Sequence, residues 1–301
     1  MSKHKLTIGC NDDTNIVEFL KDKYNIVKPY MMYRDGKIIK NFDIFLNFDG
    51  DSVITNKIKL FNIKSMGSQR YNKFEQHCIF NKLSIHTPHT YFCDNINMDI
   101  INMLLSKIDD DTNVIIKDVN GARGIGQVLI KKSRIYKLYN DIYADTDVDI
   151  KKLFKKYKIG GAFRNEHEVK YIVNTIKNGS FIIQEVVDKK AEWRYVYCYK
   201  NKPIIIKRCT TKTWQSNISV TGKHKNISHK KSKKIDKMNE IAETLSEYLN
   251  SPYLSIDFYE DKNGNIGVFE VQMNLGYDSL PKKTFVNLVI SSTEKWINDK
   301  L

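Results

Sequence analysis

The stretch VIIKDVNGARGIGQVLI, residues 114–130, puts a Lys inside a β-rich apolar run, follows it with Gly121, Arg123, Gly124 and Gly126, and then returns to apolar residues. The pattern predicts strand, loop and strand. Glycines let a backbone approach a ligand and gather several N–H groups into one concavity, the way a loop cradles phosphate oxygens, and Arg123 adds a charge-assisted donor. The glycine spacing is neither GxGxxG nor the Gly-Lys-Ser/Thr ending of a P-loop. Taken by itself, the segment reads first as a hairpin whose glycines serve only its turn. Its companions along the chain decide otherwise.

Size and composition bound those companions. With 301 residues and 41% hydrophobic content the chain can bury one or two sizeable cores, which excludes a disordered class. An excess of 49 Lys+Arg over 35 Asp+Glu, a formal +14, favours an anionic partner: a nucleotide, a nucleic acid or an acidic protein. The chain is also rich in Lys, Asn and Ile, a bias that AT-rich coding produces, so part of that charge serves solubility alone. Cys10, Cys78, Cys93, Cys198 and Cys209 are odd in number and scattered, without a CxxC pair, and read as reduced thiols of an intracellular protein. The opening MSKHKLTIGCNDD is too weakly apolar for a signal peptide, and no run reaches the ~20 residues of a membrane helix. A cytoplasmic chain without a membrane partner is the expectation.

Periodicity divides the chain. KLTIGC and DIFLNFDGD read as strands around a helix in TNIVEFLKDKY, a small α/β unit over residues 1–65. A helix follows in SQRYNKFEQHCIFNKL and ends before SIHTPHTYF, whose Pro and β-branched residues predict extended chain. After the glycine segment and a lysine-rich stretch, SFIIQEVVDKKAEWRYVYCYKNKPIIIKRC gives a strand, a polar break and a hairpin turning at KNKP. KTWQSNISVTGKHKNISHKKSKK is polar, basic and without period, and reads as a long loop; its block at 224–234 is the one place suited to a polyanion, or simply a solvated charge run. KIDKMNEIAETLSEYL is an amphipathic helix, YLSIDFYEDKNGNIGVFEVQMN a hairpin around Asn263-Gly264, and KTFVNLVISSTEKWI a closing helix.

Lys117 before the glycine loop, Gln184 and Glu185 ending an apolar strand, Arg194 and Arg208 on paired strands, and Asp257 and Glu270 on two arms of one hairpin follow in order. Carboxylates on facing strands converge readily on a hard cation such as Mg²⁺, which takes oxygen ligands from one or two carboxylates and substrate phosphates. Tyr195, Tyr197 and Tyr199 alternate at strand spacing and fit a core or sheet face better than base stacking. The histidines form no HExxH, and no GxSxG elbow is present.

In this order the chain resembles the ATP-grasp enzymes, in the branch of the ribosomal-protein glutamate ligases and glutathione-synthetase-like ligases, over roughly residues 65–290. The resemblance implies an α/β and α+β architecture, the ATP-grasp fold, in which two α+β subdomains grip ATP behind a small N-terminal α/β domain. Its divisions would be 1–65 (pre-grasp), 66–183 (linker helix and small subdomain with the glycine loop) and 184–301 (C-terminal subdomain with the metal site). It implies a carboxylate phosphorylated by ATP to an acyl phosphate that an amine of an amino acid, peptide or protein attacks, with ADP and phosphate as products. Lys73 and Lys117 resemble the family's phosphate-binding lysines, and Gly121, Ala122, Arg123, Gly124, Ile125, Gly126 and Gln127 the flap over the phosphates. Gln184, Glu185, Val186 and Val187 match the linker that reads adenine, and Glu192 the acidic residue near the ribose. Arg194 and Arg208 would face the transferred phosphoryl group; Asp257, Glu270 and Gln272 would hold Mg²⁺, or Mn²⁺ in its place.

Two departures stand out. Glu270-Val271-Gln272 replaces the family's Glu-x-Asn, which moves the amide oxygen one methylene further, with Asn274 as a possible substitute. Asn217 matches a substrate-loop Asn, but the glycine pair that often follows is reduced to Thr221-Gly222. Two other classes stay open: a nucleic-acid-associated modification or binding protein, and a non-catalytic grasp that only binds nucleotide.

Overall fold

The computed structural model describes residues 7–10, 24–27, 33–34, 37–38, 44–46, 64–66, 71–93, 103, 105–121, 127–144, 149–159, 171, 173–176, 180–208, 224–226, 232–272 and 282–300. Four short strands, β1 (Thr7–Cys10), β2 (Asn25–Val27), β5 (Ile44–Leu46) and β6 (Lys64–Met66), form an all-parallel sheet in the order β2-β1-β5-β6. Parallel neighbours require crossovers, in keeping with the α/β unit expected at this end. A small hairpin, β3 (Tyr33–Arg34) with β4 (Lys37–Ile38), lies between β2 and β5 in the chain. The helix expected in TNIVEFLKDKY falls outside the described residues.

Helix α1 (Lys73–Lys82) starts on a full capping box: the Asn72 side chain accepts from the N–H groups of Phe74 and Glu75, and Glu75 accepts from the Asn72 N–H at 2.7 Å. Strand β7 (Thr90–Cys93) follows in the extended stretch that Pro88 predicts. It joins β8 (Asn113–Asp118), β9 (Gln127–Lys131) and β10 (Phe181–Glu185) in an antiparallel sheet of order β7-β10-β8-β9. Alternation sorts its two faces. Val114, Ile116, Val128, Ile130, Phe181 and Ile183 are buried in one core with residues of α2 (Lys132–Ala144) and α3 (Ile150–Tyr157). Ile115, Lys117, Ile182 and Gln184 point the other way.

The third sheet, of order β13-β12-β11-β14-β15, contains β11 (Lys189–Cys198), β12 (Ile204–Arg208), β13 (His224–Asn226), β14 (Tyr253–Asp261) and β15 (Ile266–Gln272). Trp193, Tyr195, Tyr197, Leu254, Ile256 and Phe258 pack on α4 (Lys233–Tyr248), through Met238, Ile241, Ala242 and Leu245, and on Ile79 and Phe80 of α1. Tyr195 and Tyr197 are therefore core residues, as their spacing predicts. Tyr199 lies beyond the strand and meets Trp296 of α5 (Lys282–Lys300) edge-on at 4.8 Å. The long basic loop needs one correction: it contains strand β13, whose residues His224, Lys225 and Asn226 pair with β12. Their polar character hides an edge strand that needs no apolar face of its own.

Gly264, at φ +89°, turns the β14–β15 hairpin, and Asp261 Oδ1 accepts the N–H groups of Asn263 and Asn265 at 2.8 and 2.9 Å. The outer edge of β15 is not bare. Val271 donates its N–H to the buried Gln76 Oε1 at 2.9 Å, and Val268 donates to the His86 carbonyl at 2.9 Å. Helix α1 and the chain after it thereby seal the edge of the C-terminal sheet.

Candidate active site

The register of the C-terminal sheet assembles a polar row. Arg194 on β11 stands opposite Asp257 on β14, and Asp257 stands opposite Glu270 on β15. Side chains in one row of an antiparallel sheet share a face, so the three line up on one face across β11, β14 and the edge strand β15. Arg194 Nε donates to Asp257 Oδ1 at 3.2 Å, although the two lie far apart in sequence. Glu192, two residues before Arg194, shares this face and stands opposite Arg208. Arg208 belongs to β12 by its backbone; its side chain lies outside what the structure describes.

A β-bulge makes the row possible. Asp257 pairs with Glu270 but the next residue, Phe258, pairs with Val268, so β15 holds an extra residue at Phe269. Val268 and Val271, which strict alternation would put on opposite faces, both enter the core. Glu270 and Gln272 are left on the polar face, where Gln272 Nε2 donates to Glu270 Oε1 at 3.0 Å. That contact turns the amide so that its nitrogen meets the carboxylate.

The second half of the site comes from the central sheet. Lys117 Nζ donates to Gln184 Oε1, Gln184 Nε2 donates to Thr90 Oγ1 at 2.9 Å, and Thr90 Oγ1 donates to the Pro88 carbonyl at 2.9 Å. The relay runs across three strands and fixes which end of the buried Gln184 amide faces the ammonium. Lys73, the first residue of α1, donates from Nζ to the Gly121 carbonyl. Burial, then the nearby Lys73 ammonium, push Lys117 down to about 8, while Glu270 and Glu192 pull it back up. The charges that bear on Lys117 thus come from both sides, Lys73 from the start of α1 and Glu270 and Glu192 from the C-terminal sheet. Lys189 adds a further cation: its Nζ is 2.6 Å from Oε2 of the buried Glu192 and 5.6 Å from the Phe269 ring centre.

Of the residues singled out in sequence, these contacts pair Lys117 with Gln184, Arg194 with Asp257 and Gln272 with Glu270, while Lys73 reaches the Gly121 carbonyl and Glu192 takes Lys189. Glu185 and Val186 form the connection between sheets, their N–H groups donating to the carbonyls of His89 (3.0 Å) and Asn113 (3.3 Å); Val187 follows them. Gly121 and Gln127 flank the glycine segment, Gln127 lying opposite Lys117. Ala122, Arg123, Gly124, Ile125, Gly126, Asn217 and Asn274 lie outside the described residues. Sequence reasoning missed Thr90, Asp118, Gln76 and Lys189. Asp118, next to Lys117 and three residues before a glycine, carries a local signal, since Asp before a turn is an Asx-turn former; the other three carry none.

The donors on the polar face suit a hard cation. Asp257 and Glu270 are register partners, Gln272 brings an amide, and neither His nor Cys belongs to the group. Among the described residues no cluster of three or more His, Cys, Asp or Glu could hold a metal by itself. Two carboxylates completed by substrate phosphates is the mode Mg²⁺ favours.

No protein-family model and no curated protein sequence matches the chain. Solved structures do. It is similar to D-alanyl-alanine synthetase A from Vibrio cholerae at 11% identity and TM-score 0.58, over 99% of this chain and 98% of that one. It is similar to a RimK domain ATP-grasp protein from Sphaerobacter thermophilus at 12% identity and TM-score 0.57, over 95% and 98%. A RiPP-associated ATP-grasp ligase from Chryseobacterium gregarium, solved with ADP and a leader and core peptide, matches at 12% identity and TM-score 0.53, over 97% of both chains. Likeness at such low identity speaks for the fold alone, and it agrees with two antiparallel sheets behind a small parallel one: the chain has the ATP-grasp fold.

Proposed function

We propose that the chain is an ATP- and Mg²⁺-dependent ligase that joins a carboxylate to an amine through an acyl phosphate. One observation carries the reading: Arg194, Asp257 and Glu270 are register partners on one face of the C-terminal sheet, with Gln272 hydrogen-bonded to Glu270, a guanidinium and oxygen donors of the kind that suit a phosphate and its metal ion. The divisions 1–65, 66–183 and 184–301 then correspond to a pre-grasp domain and the two halves of the grip.

On this reading Lys73 and Lys117 bind phosphate oxygens of ATP, the 184–187 connection lies against adenine, and Glu192 accepts from the ribose. Asp257, Glu270 and the Gln272 amide hold the Mg²⁺, which supplies charge neutralisation on the phosphates when bound. Arg194, held by Asp257, and Arg208 stabilise charge on the transferred group, where catalysis is positioning and electrostatics. A substrate carboxylate oxygen attacks the γ-phosphorus, and the bond from phosphorus to the β–γ bridging oxygen breaks to give ADP and an acyl phosphate. The amine then attacks the acyl carbon; phosphate departs with the C–O bonding pair and the nitrogen loses a proton. The likeness to a D-alanyl-alanine synthetase and to a ligase solved with a peptide supports an amine of amino-acid or peptide type. No helix among the described residues is long and apolar enough to cross a membrane.

The test is ATP turnover with Mg²⁺ against pooled amino acids, peptides and nucleic acids, with ADP and AMP separated. ADP and phosphate formed only with a particular pool, and reduced at least about 100-fold in Glu270→Ala, is the expected result. AMP as product rejects the acyl-phosphate route. Nucleotide binding without turnover in any pool favours a non-catalytic grasp.

A further inference from the structure

Asp118 lies directly after Lys117, belongs to none of the roles above, and makes more hydrogen bonds than any strand-end carboxylate needs. Its Oδ1 accepts the N–H groups of Asn120 at 2.6 Å and Gly121 at 3.0 Å. Its Oδ2 accepts from the Tyr171 hydroxyl and from Thr175 Oγ1 at 3.3 Å, on a helical segment more than 50 residues away. The Asp118 carbonyl also receives the Gly121 N–H at 3.3 Å. Gly121 is therefore held on its amide side by Asp118 and on its carbonyl side by Lys73 Nζ. A second stitch, from the Lys73 N–H to the Val119 carbonyl at 3.2 Å, ties the start of α1 to the same turn.

We propose that Asp118 is a positioning residue for the phosphate-binding corner of the site, setting the place of the Lys73 ammonium through Gly121. This rests on the reading of the cleft as a nucleotide site. The physical need is plain: Lys73 and Lys117 repel each other, and each is kept in place by a neutral oxygen, Gly121 carbonyl for one and Gln184 Oε1 for the other. The Gly121 carbonyl belongs to the peptide unit after the one whose N–H Asp118 accepts, so Asp118 acts on it by holding the turn and the position of Gly121 within it. Without the Asp118 side chain the turn keeps only the backbone bond from the Gly121 N–H to the Asp118 carbonyl, Gly121 loses a restraint, and Lys73 shifts with its acceptor. Asp118 acts by geometry, with both of its oxygens occupied by the turn N–H groups and by the Tyr171 and Thr175 hydroxyls. Tyr171 extends the clamp: the hydrogen bond to Asp118 pushes its hydroxyl up to about 12, so it stays a donor at every physiological pH.

The experiment is calorimetric titration of the full chain with Mg²⁺-AMPPNP and, separately, with adenosine, which lacks phosphate. Asp118→Ala is expected to weaken AMPPNP about tenfold and adenosine about twofold or less, the size of losing hydrogen bonds around a charged group. Asp118→Asn keeps the acceptor for both N–H groups and is expected within about threefold of wild type. Equal losses for both ligands, or none, overturn the proposal, as does Asp118→Asn binding as weakly as Asp118→Ala. If circular dichroism shows Asp118→Ala unfolded, Tyr171→Phe decides: this 42% exposed residue loses one hydroxyl, and a loss of about threefold confined to AMPPNP is expected, while a loss shared with adenosine refutes the clamp. Wild-type protein that binds neither ligand removes the nucleotide reading and the clamp with it; wild type that binds AMPPNP beside variants that match it removes the clamp alone.

Discussion

Lys117 is the residue on which the site's electrostatics turn. Desolvation, and then Lys73, lower its ammonium from 10.5 to about 8. The folded chain therefore gives up this proton at lower pH than the unfolded chain does. The cost of burying the charge is present in full below about pH 8 and fades as pH rises towards 10.5. Lys117→Met should accordingly raise the urea midpoint at pH 7, with the gain shrinking by pH 10; a variant less stable than wild type at pH 7 would contradict this account. Gly267 makes a different demand. A Cβ there would fall on the ring of Tyr259, which is itself buried and packed 4.4 Å from Phe269 and 5.7 Å from His86. The ring has nowhere to go, so Gly267→Ala should cost about 1–3 kcal/mol in urea unfolding, the range for overpacking.

At the scale of elements, the seal between α1 and β15 is the vulnerable joint. Gln76 is buried, receives the Val271 N–H through Oε1, and donates from Nε2 to the Tyr71 carbonyl at 3.0 Å. Gln76→Leu preserves approximate volume but leaves a buried edge-strand N–H without its acceptor, and should lower stability by about 1–3 kcal/mol. A larger effect on the Glu270 side than on the central sheet, read by amide exchange, is expected, because Val271 adjoins Glu270. Most elements were legible in sequence: the capped helix at Lys73–Lys82, the strand carrying Lys117, the hairpin at Asn263-Gly264 and the amphipathic helix Lys233–Tyr248. Helices Lys132–Ala144 and Ile150–Tyr157 were passed over as a lysine-rich stretch, although Ile135, Leu138 and Ile142 recur at helical spacing and are buried with Leu153. Strand His224–Asn226 was invisible because pairing with β12, not its own side chains, makes it a strand.

At the scale of the molecule, a ligand that touches both sheets must couple them. Mg²⁺-ATP at about 100 times its Kd should add about 2.7 kcal/mol to unfolding, by mass action. Amide exchange should slow in β8 and β10 as well as in β14 and β15; protection of one sheet alone would mean that the ligand does not bridge them. No single element supplies the site, so this coupling belongs to the fold as a whole.

What the sequence determined by itself is the chemistry on offer: Lys117 before a glycine segment, Arg194 on a strand, Asp257 and Glu270 on the arms of one hairpin. Alternation and turn residues are local, and local rules read them. What only the tertiary structure decided is who meets whom. The row Arg194–Asp257–Glu270 depends on a register between strands some 60 residues apart and on a bulge at Phe269. Gln184 faces Lys117 because β10 lies beside β8, and Asp118 clamps Gly121 because Tyr171 and Thr175 pack against its other oxygen. Strand order and register follow from the summed burial of two cores, a property that no window of sequence contains.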